Sequence, residues 1–457
     1  MVETSKLPAE EQQIVAWVEQ AIGAVRHIAR EGRWRPSWNV DAHCDGRDIA
    51  LHVRGARQGD WPPMPLSYEC EVFRLFERCG VRVPHVHGFI PKLPAIVMDR
   101  AAGAPDLSRA ASEADREAVR QQLIEQMLLI HRADPEGMAR IGAVRPPDDD
   151  EAALSYFRLI ERLFTENRVA PTPAVEFVRR WINRSIPANP DGVRPITVDA
   201  AQFIFEGDQL TAMLDFEFAG LGDYHTDLAA LRIRNRAEYI GEIDDLLHAY
   251  AAASGVAPDY HRIRFHTAVI AILTPLQVAR ELATGPQGID YHEYMVWNAF
   301  CVLIALDCIS EMQGWDRETF EVPLPSPSRQ AIPAQVLAQR LAASGSDDEF
   351  SRYQAEKSAR VVGYLAKAAL YQPQFDTDYL EDCAALLGVR PADWVEADHL
   401  LETRICAEDP ADDEAFVRLF TRRYLRECFL LADPSDRKNH EQITTRMKPI
   451  GGQRAAG

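Results

Sequence analysis

The apolar residues of the first hundred positions follow two different periods. Between residues 7 and 30 they recur at spacings of three and four, which predicts one amphipathic helix. The residues with this spacing are Ile14, Val15, Trp17, Val18, Ala21, Ile22 and Val25. Residues 38 to 54 instead alternate around the turn Cys44–Arg47, which predicts two strands. A second helix is predicted over residues 65 to 80 and a short strand over residues 95 to 100.

The rest of the chain is mostly helical apart from one hairpin. Two apolar runs, Phe203–Phe205 and Leu210–Leu214, flank a Gly/Asp turn, which predicts a β-hairpin. Helical patterns run from Leu107 to about Pro327 and continue beyond about Gln330. The polar, glycine-ended segment from residue 436 to residue 457 is predicted to be disordered.

Three acids lie at the open end of the predicted hairpin. Asp199 precedes the first strand, and Asp215 and Glu217 lie at the end of the second strand. Antiparallel pairing places the start of one strand beside the end of the other, so the three carboxylates are expected to lie close together. Clustered carboxylates suit Mg²⁺, which takes one or two carboxylates together with phosphate oxygens. The pattern is typical of the catalytic and metal-binding hairpin of a kinase.

The segment Leu214–Asp223 carries a longer motif. Its sequence, LDFEFAGLGD, is similar to the signature I-D-W-E-x-A-x-x-G-D. On these residues the chain resembles the aminoglycoside phosphotransferase-like (choline kinase-like) family, whose small-molecule kinases have a protein-kinase-like fold. The resemblance implies that Asp215 binds Mg²⁺ and that Glu217 assists it. It also implies that Asp223 and Asp227 brace the loop and the helix that follow.

The resemblance implies a fold class, a division of the chain and an activity. The expected class is α+β, a protein-kinase-like two-lobe fold with a small N-lobe sheet plus helix, a largely helical C-lobe and a helical C-terminal extension. The implied parts are a nucleotide-binding N-lobe (1–100), a C-lobe with the hairpin (101–328), the extension (329–435) and a disordered tail (436–457). The implied activity is transfer of a phosphoryl group from ATP or GTP, with Mg²⁺, to a hydroxyl group of a small molecule.

The catalytic loop departs from the family pattern H-G-D-x-x-x-x-N. With a two-residue deletion, Asp199 takes the place of the catalytic Asp and Gln202 that of the metal-binding Asn. Without a gap, Gln202 keeps that place, but Thr197 falls on the catalytic Asp and cannot serve as a base. The gapped alignment is favoured because it keeps a carboxylate in position. The missing His and the Gln in place of Asn leave a second hypothesis open, a pseudokinase that binds a nucleotide or a protein partner.

The resemblance also implies residues that bind the nucleotide. Arg54 occupies the place of the cation that contacts the α- and β-phosphates and pairs with a helix carboxylate. Glu69 is the expected partner because it shares a helix face with three apolar residues, and Glu71 is the second choice. Met98 lies in a strand similar to the family's linker, where adenine would sit.

The segment Gly32–Asn39 occupies the place of a glycine-rich phosphate loop but contains one glycine and two tryptophans. Arg33 and Arg35 within it are candidates for contacts with phosphates. The alternative is that both arginines stack on the tryptophans at the surface. The sequence leaves these two readings open.

Composition narrows the range of partners. The 457-residue chain carries a formal net charge of −19, which argues against a nucleic-acid partner. Its eight cysteines form no C-x-x-C pair, and no run of 18 apolar residues is present, so neither a zinc site nor a membrane span is expected. The N-terminus lacks the pattern of a secretory signal, so a cytoplasmic protein that acts on a small molecule is expected. The oligomeric state is left open.

Overall fold

The structure, a computed structural model, describes residues 4–33, 35–57, 64–189, 191–286, 288–346, 348–407, 409–433 and 436–452. Its chain forms two compact units. Unit 1 comprises Met1–Tyr156, Pro190–Pro258 and Ser346–Tyr353, and unit 2 comprises Phe157–Asn189, Asp259–Gly345 and Gln354–Gly457. The domain boundaries predicted from the sequence stay predictions.

The described residues form α-helices and short strands with the following bounds. The helices are α1 (Ala9–Ala21), α2 (Leu66–Arg78), α3 (Glu113–His131), α4 (Pro135–Arg140), α5 (Ser155–Asn167), α6 (Pro173–Arg184), α7 (His225–Ala237), α8 (Ile243–Ser254), α9 (Tyr260–Thr284), α10 (Tyr291–Gln313), α11 (Ala331–Ala342), α12 (Glu349–Leu387), α13 (Trp394–Cys406), α14 (Asp413–Leu431) and α15 (Arg437–Thr444). The strands are β1 (Ala24–Arg30), β2 (Ser37–Cys44), β3 (Arg47–Gly55), β4 (Val86–Ile90), β5 (Ala95–Asp99), β6 (Arg194–Ile196), β7 (Phe203–Glu206), β8 (Gln209–Met213) and β9 (Gly220–Gly222).

Unit 1 begins with a five-stranded antiparallel sheet in the order β1-β2-β3-β5-β4. The predicted strands on either side of the Cys44–Arg47 turn are confirmed as β2 and β3, and the predicted helix after them as α2. Apolar side chains of α1, including Ile14 and Val18, pack on one face of this sheet against Trp38 and Val53. An N-terminal sheet followed by a mainly helical chain confirms the predicted α+β class.

The helix predicted over residues 7 to 30 is wrong in its second half. The chain leaves α1 and forms the strand β1, whose pairing with β2 shifts register between Val25 and His27. An extra residue at such a bulge puts side chains three positions apart on the same face of the sheet. Val25 and Ile28 are therefore both buried in the core, and their spacing imitates the period of a helix.

A backbone contact joins the segment after β5 to the hairpin β7–β8. The Ala104 amide donates to the Phe205 carbonyl at 2.9 Å, and the Phe205 amide donates to the Ala104 carbonyl at 3.1 Å. Gly103, with φ of 116°, lies against the same carbonyl, so a Cβ atom there would collide with it. The hairpin itself is confirmed where the sequence predicted it.

Unit 2 is helical, as the sequence predicted for the C-terminal region. Its core includes Val296 and Leu303 of α10 packed with Cys428 and Leu431 of α14 and Ile443 of α15. Within the described ranges, α10 is the one helix with the length and composition to cross a membrane, with a mean hydropathy of 1.6. Because 72% of its apolar stretch is buried within the protein, it has the surroundings of a core helix.

The predicted disorder after residue 436 differs from the structure. The described part of this segment contains α15, and Ile443, Met447 and Ile450 are buried. These three apolar residues are spaced at four and three, but they are separated by polar and basic residues. The composition of the segment therefore concealed a short helix and buried apolar residues in and after it.

Gly103→Ala tests the contact between the segment after β5 and the hairpin β7–β8. We expect a loss of about 2 kcal/mol in the free energy of unfolding, because alanine meets both the positive φ and the Phe205 carbonyl. Gly345→Ala is the matched control, since nothing lies within 4 Å of its Cβ position. Urea unfolding measures both variants, and equal stabilities would contradict the role of Gly103.

His292 predicts an acid-dependent loss of stability. Burial, reinforced by the nearby Lys357, lowers the pKa of this histidine from 6.5 to about 4. The unfolded state therefore binds more protons than the folded state between these values, and stability falls as the pH falls through 6.5. This group alone predicts a loss of about 2 kcal/mol between pH 7 and pH 5. Unfolding of His292→Gln at both pH values should show a smaller loss than the wild type; an equal loss would contradict the prediction.

Candidate active site

The loop between β6 and β7 and the turn after β8 contain strained backbone. Val198, Ala201 and Asp215 adopt φ values of 65°, 68° and 61°, in the left-handed region that non-glycine residues rarely occupy. Each such residue costs on the order of 1 to 3 kcal/mol and persists only where its surroundings hold it. Such strain concentrates at functional sites, and here it falls on the segments that the sequence predicted to be catalytic.

The Asp227 carboxylate holds the start of this loop. It accepts hydrogen bonds from the amide of Thr197 at 2.9 and 3.0 Å, from the amide of Val198 at 2.8 Å and from the Thr197 hydroxyl at 3.1 Å. His131, at the end of α3, contacts the same carboxylate at 3.0 Å. Asp227 was expected to brace the loop and helix that follow the motif, and these bonds instead connect it to the loop that precedes the motif. Because the Thr197 side chain is committed to Asp227, the geometry favours the alignment that puts Asp199 in the catalytic place.

Asp199 and Gln202 lie together. The Gln202 side-chain amide donates to Asp199 Oδ2 at 2.7 Å, and Arg234 of α7 donates to both oxygens of Asp199 at 2.7 Å. The Gln202 carbonyl accepts from the Leu214 amide at 2.8 Å. This backbone bond fixes the loop beside the residue that precedes Asp215, so the loop and the end of the hairpin form one local site.

Aromatic packing brings α2 against the hairpin end. The Phe216 ring meets Phe73 and Phe76 of α2 edge to face, with centroids 4.9 and 5.0 Å apart. Asp215 and Glu217 flank Phe216 in the chain, and Glu69 lies on the same face of α2 as the two phenylalanines. Packing of these three rings therefore brings the carboxylates of Glu69, Asp215 and Glu217 close to one another.

Six charged residues meet there, and we call them the acid–arginine cluster: Arg35, Arg54, Arg57, Glu69, Asp215 and Glu217. The predicted pair is confirmed, because Arg54 Nη2 lies 3.1 Å from Glu69 Oε1 and Arg54 Nε donates to Glu69 Oε2 at 3.2 Å. Arg54 also donates to Asp215. Glu71, the second choice, pairs with Arg74 at 2.6 Å outside the cluster.

Two further arginines surround Glu217. Arg35 Nη1 donates to Glu217 Oε2 at 2.6 Å, and Arg35 Nη2 donates to Glu69 Oε2 at 3.2 Å. Arg57 Nη2 lies 2.6 Å from Glu217 Oε1. Arg35 is thus a member of the buried cluster, whereas Arg33 is about half exposed and lies 3.9 Å from Glu31. Sequence reasoning missed Arg57, since no local pattern sets it apart from other arginines in loops.

The cluster changes the acidity of its members. Burial alone would raise the pKa of Asp215, but the guanidinium groups of Arg54 and Arg35 outweigh it and hold that pKa below its ordinary value. Burial raises the pKa of Glu217, and Arg57 and Arg35 counter it only in part. Asp215 is therefore an anion at neutral pH, paired with Arg54.

The predicted metal ligands differ in how well they fit Mg²⁺. Asp215 is 17% exposed, and its carboxylate and the Gln202 amide supply oxygen donors of the kind that this ion takes. Glu217 is 3% exposed, and each of its oxygens is engaged by an arginine, so it does not fit a hard cation in this arrangement. Across the described ranges, no group of three or more His, Cys, Asp and Glu residues could hold a metal by itself. Phosphate oxygens would have to complete the coordination.

Comparisons with known proteins agree with the motif. The model of the Phosphotransferase enzyme family matches residues 44–266. No curated protein matches the chain by sequence.

Similar solved structures are distant. A proposed aminoglycoside phosphotransferase from Ralstonia eutropha JMP134 has 13% identity and a TM-score of 0.49, over 67% of this chain and 99% of that chain. Choline kinase LicA from Streptococcus pneumoniae has 15% identity and a TM-score of 0.46, over 67% and 100%. Aminoglycoside phosphotransferase APH(4)-Ia, in a complex with ADP and hygromycin B, has 15% identity and a TM-score of 0.46, over 64% and 98%.

Because these likenesses are so distant, the assignment rests on the family match and on the motif that it contains. Met98 is buried in β5 opposite His52 of β3, within the matched range, as are Arg54, Glu69, Asp199, Gln202, Asp215 and Glu217; the candidates Arg33 and Arg35 precede it. The match of the Phosphotransferase enzyme family model to residues 44–266 confirms the resemblance drawn from the segment Leu214–Asp223.

Proposed function

We propose that the protein is a phosphotransferase that uses ATP or GTP with Mg²⁺ to phosphorylate a hydroxyl group of a small molecule. The observation that carries the proposal is the path from Asp199 to Asp215. Gln202 bonds Asp199 through its side chain and the Leu214 amide through its backbone carbonyl, so it links Asp199 to the residue that precedes Asp215. Phosphoryl transfer depends mainly on such positioning and on charge stabilisation.

Each residue has a role in this proposal. Asp199 orients the acceptor hydroxyl and accepts its proton, and Asp215 with Gln202 holds the metal ion. Arg54, kept in place by Glu69, contacts the nucleotide phosphates, and Met98 lies beside the adenine. Mg²⁺, when bound, neutralises charge on the phosphate oxygens. We also propose that the protein is soluble and acts in the cytoplasm, as the sequence led us to expect.

A second candidate function is nucleotide binding without transfer. Arg234 donates to both oxygens of Asp199, so this ion pair would have to open before the carboxylate could bond an acceptor hydroxyl. If this ion pair persists when the substrate binds, the protein is a pseudokinase. Turnover decides between the two candidates.

Asp199→Asn tests the transfer step. Turnover, measured as ADP release across a panel of hydroxylated metabolites, should fall by a factor of about 10² or more, the usual size of a general-base effect. Asp208→Asn, at the exposed turn of the hairpin, is the matched control and should retain full turnover. Binding of Mg-ATP without turnover on any acceptor would favour the pseudokinase.

Asp215→Ala tests the metal site. At about 100-fold excess of ligand over Kd, Mg-ATP should stabilise the wild type by about 2 to 3 kcal/mol, measured as a shift of thermal unfolding. In Asp215→Ala the Mg-ATP shift should fall to the size of the shift that ATP gives without metal, and Asp208→Ala should keep the full shift. A full Mg-ATP shift in Asp215→Ala would remove Asp215 from the metal site.

A further inference from the structure

We propose that Arg57 is a phosphate-binding residue of the nucleotide site and that Glu217 anchors it, instead of binding the metal. The inference rests on the proposed function, because it concerns the same phosphate site. It adds a ligand that the sequence motif does not contain, and it reassigns an acid that the motif does contain.

Glu217 is saturated by arginines. Its two oxygens face different guanidinium groups, Arg35 at 2.6 Å and Arg57 at 2.6 Å, and it is almost completely buried. A metal ion at Glu217 would have to displace these contacts and leave a buried guanidinium without its carboxylate. Breaking a buried pair in this way is strongly destabilising. The geometry therefore makes Glu217 an anchor.

The two arginines around Glu217 differ in access. Arg35 uses all three of its side-chain nitrogens inside the protein, on Glu217, on Glu69 and on the Gly55 carbonyl at 3.2 Å, and is 2% exposed. Arg57 is 11% exposed and lies just beyond the end of β3. Arg35 thus serves as internal support, and Arg57 is the member of this pair that an incoming ligand can reach.

Arg57 lies beside the residue already proposed to contact phosphate. Arg54 Nη2 is 3.7 Å from Glu217 Oε2, and Arg57 Nη2 is 2.6 Å from Glu217 Oε1, so the two guanidinium groups share this carboxylate. A guanidinium is a planar fork with five N–H donors and can bond a carboxylate along one edge and a phosphate along another. Arg54 and Arg57 together form a two-arginine clamp for a polyphosphate.

The charge of the cluster has a measurable consequence. Three arginines pair with three acids in this cluster, whereas a typical kinase has one cation on this strand, paired with one helix carboxylate. Of the two additional guanidinium groups, Arg57 supplies positive charge for phosphates that a metal ion otherwise provides, and Arg35 supports it from inside the protein. The protein should therefore bind ADP in EDTA, and the metal should only strengthen this binding.

Calorimetric titration of the full-length protein with ADP, in EDTA and in Mg²⁺, tests the clamp. Arg57→Gln should weaken metal-free ADP binding by tenfold or more, and Arg57→Lys, which keeps the charge but loses the fork, should lie between it and the wild type. Arg47→Gln, at the exposed start of the same strand, is the control and should bind as the wild type does. Equal binding by Arg57→Gln and Arg47→Gln would overturn the role of Arg57.

Glu217→Gln distinguishes an anchor from a metal ligand. For an anchor, the ratio of ADP affinities with and without Mg²⁺ should stay as in the wild type; a ratio that collapses toward one would overturn the assignment. Thermal unfolding checks that each variant is folded. If Glu217→Gln does not fold, the Arg57 variants alone decide the test.

Wild-type binding of ADP only with Mg²⁺ would overturn the clamp but leave the proposed function standing. Failure of ADP and ATP to bind under either condition would overturn the proposed function itself.

Discussion

Glu217 lies in the interior between two guanidinium groups, and the geometry of the whole candidate site depends on that pairing. Removing each of these charges from water costs several kcal/mol, which only close pairing and hydrogen bonding offset. Arg35 precedes β2, Arg57 follows β3, and Arg35 and Glu217 are 182 positions apart in the chain. Leaving any member of the cluster buried without its ion-pair partner would cost several kcal/mol of stability, so the sheet, α2 and the hairpin end are held in one arrangement.

A second constraint acts on the loop that carries Asp199. The Asp227 carboxylate collects hydrogen bonds from two consecutive backbone amides, and these bonds offset the left-handed conformation of Val198. A β-branched residue with positive φ would otherwise relax to an extended conformation. The left-handed conformation of Val198 sets the direction of the chain into Asp199. The hydrogen bonds to Asp227 therefore help to fix the position of Asp199.

Charge balance links these two constraints to chemistry. Each of the four described acids at the site has a basic partner: Arg234 for Asp199, Arg54 for Asp215 and Glu69, and Arg35 with Arg57 for Glu217. A phosphate group entering such a site competes for the arginines, and a cation competes for the carboxylates. A phosphate that binds the arginines releases the carboxylates for a cation, and a cation that binds the carboxylates releases the arginines for a phosphate. Nucleotide and cation are therefore expected to favour one another's binding.

Much of the local architecture was readable from the sequence. The hairpin β7–β8 and the strands around Cys44–Arg47 followed from short periodic patterns, because a strand places neighbours by its own repeat. The pair Arg54–Glu69 was implied by the family resemblance, and the helix period only favoured Glu69 over Glu71. The family was readable from ten contiguous residues, Leu214–Asp223, for the same reason: the motif is local.

The tertiary structure decided what no local pattern encodes. β1 was mistaken for helix because a bulge gave its apolar residues a spacing of three, and only pairing with β2 reveals the bulge. The arginines around Glu217 come from segments distant in sequence, and no local sequence pattern identifies the residue with which a charged side chain pairs. The sequence thus determined the elements, the motif and the acids at the hairpin end. Which cations meet those acids, and which acid is left for a metal, depends on packing across the fold, because burial makes long-range pairing obligatory.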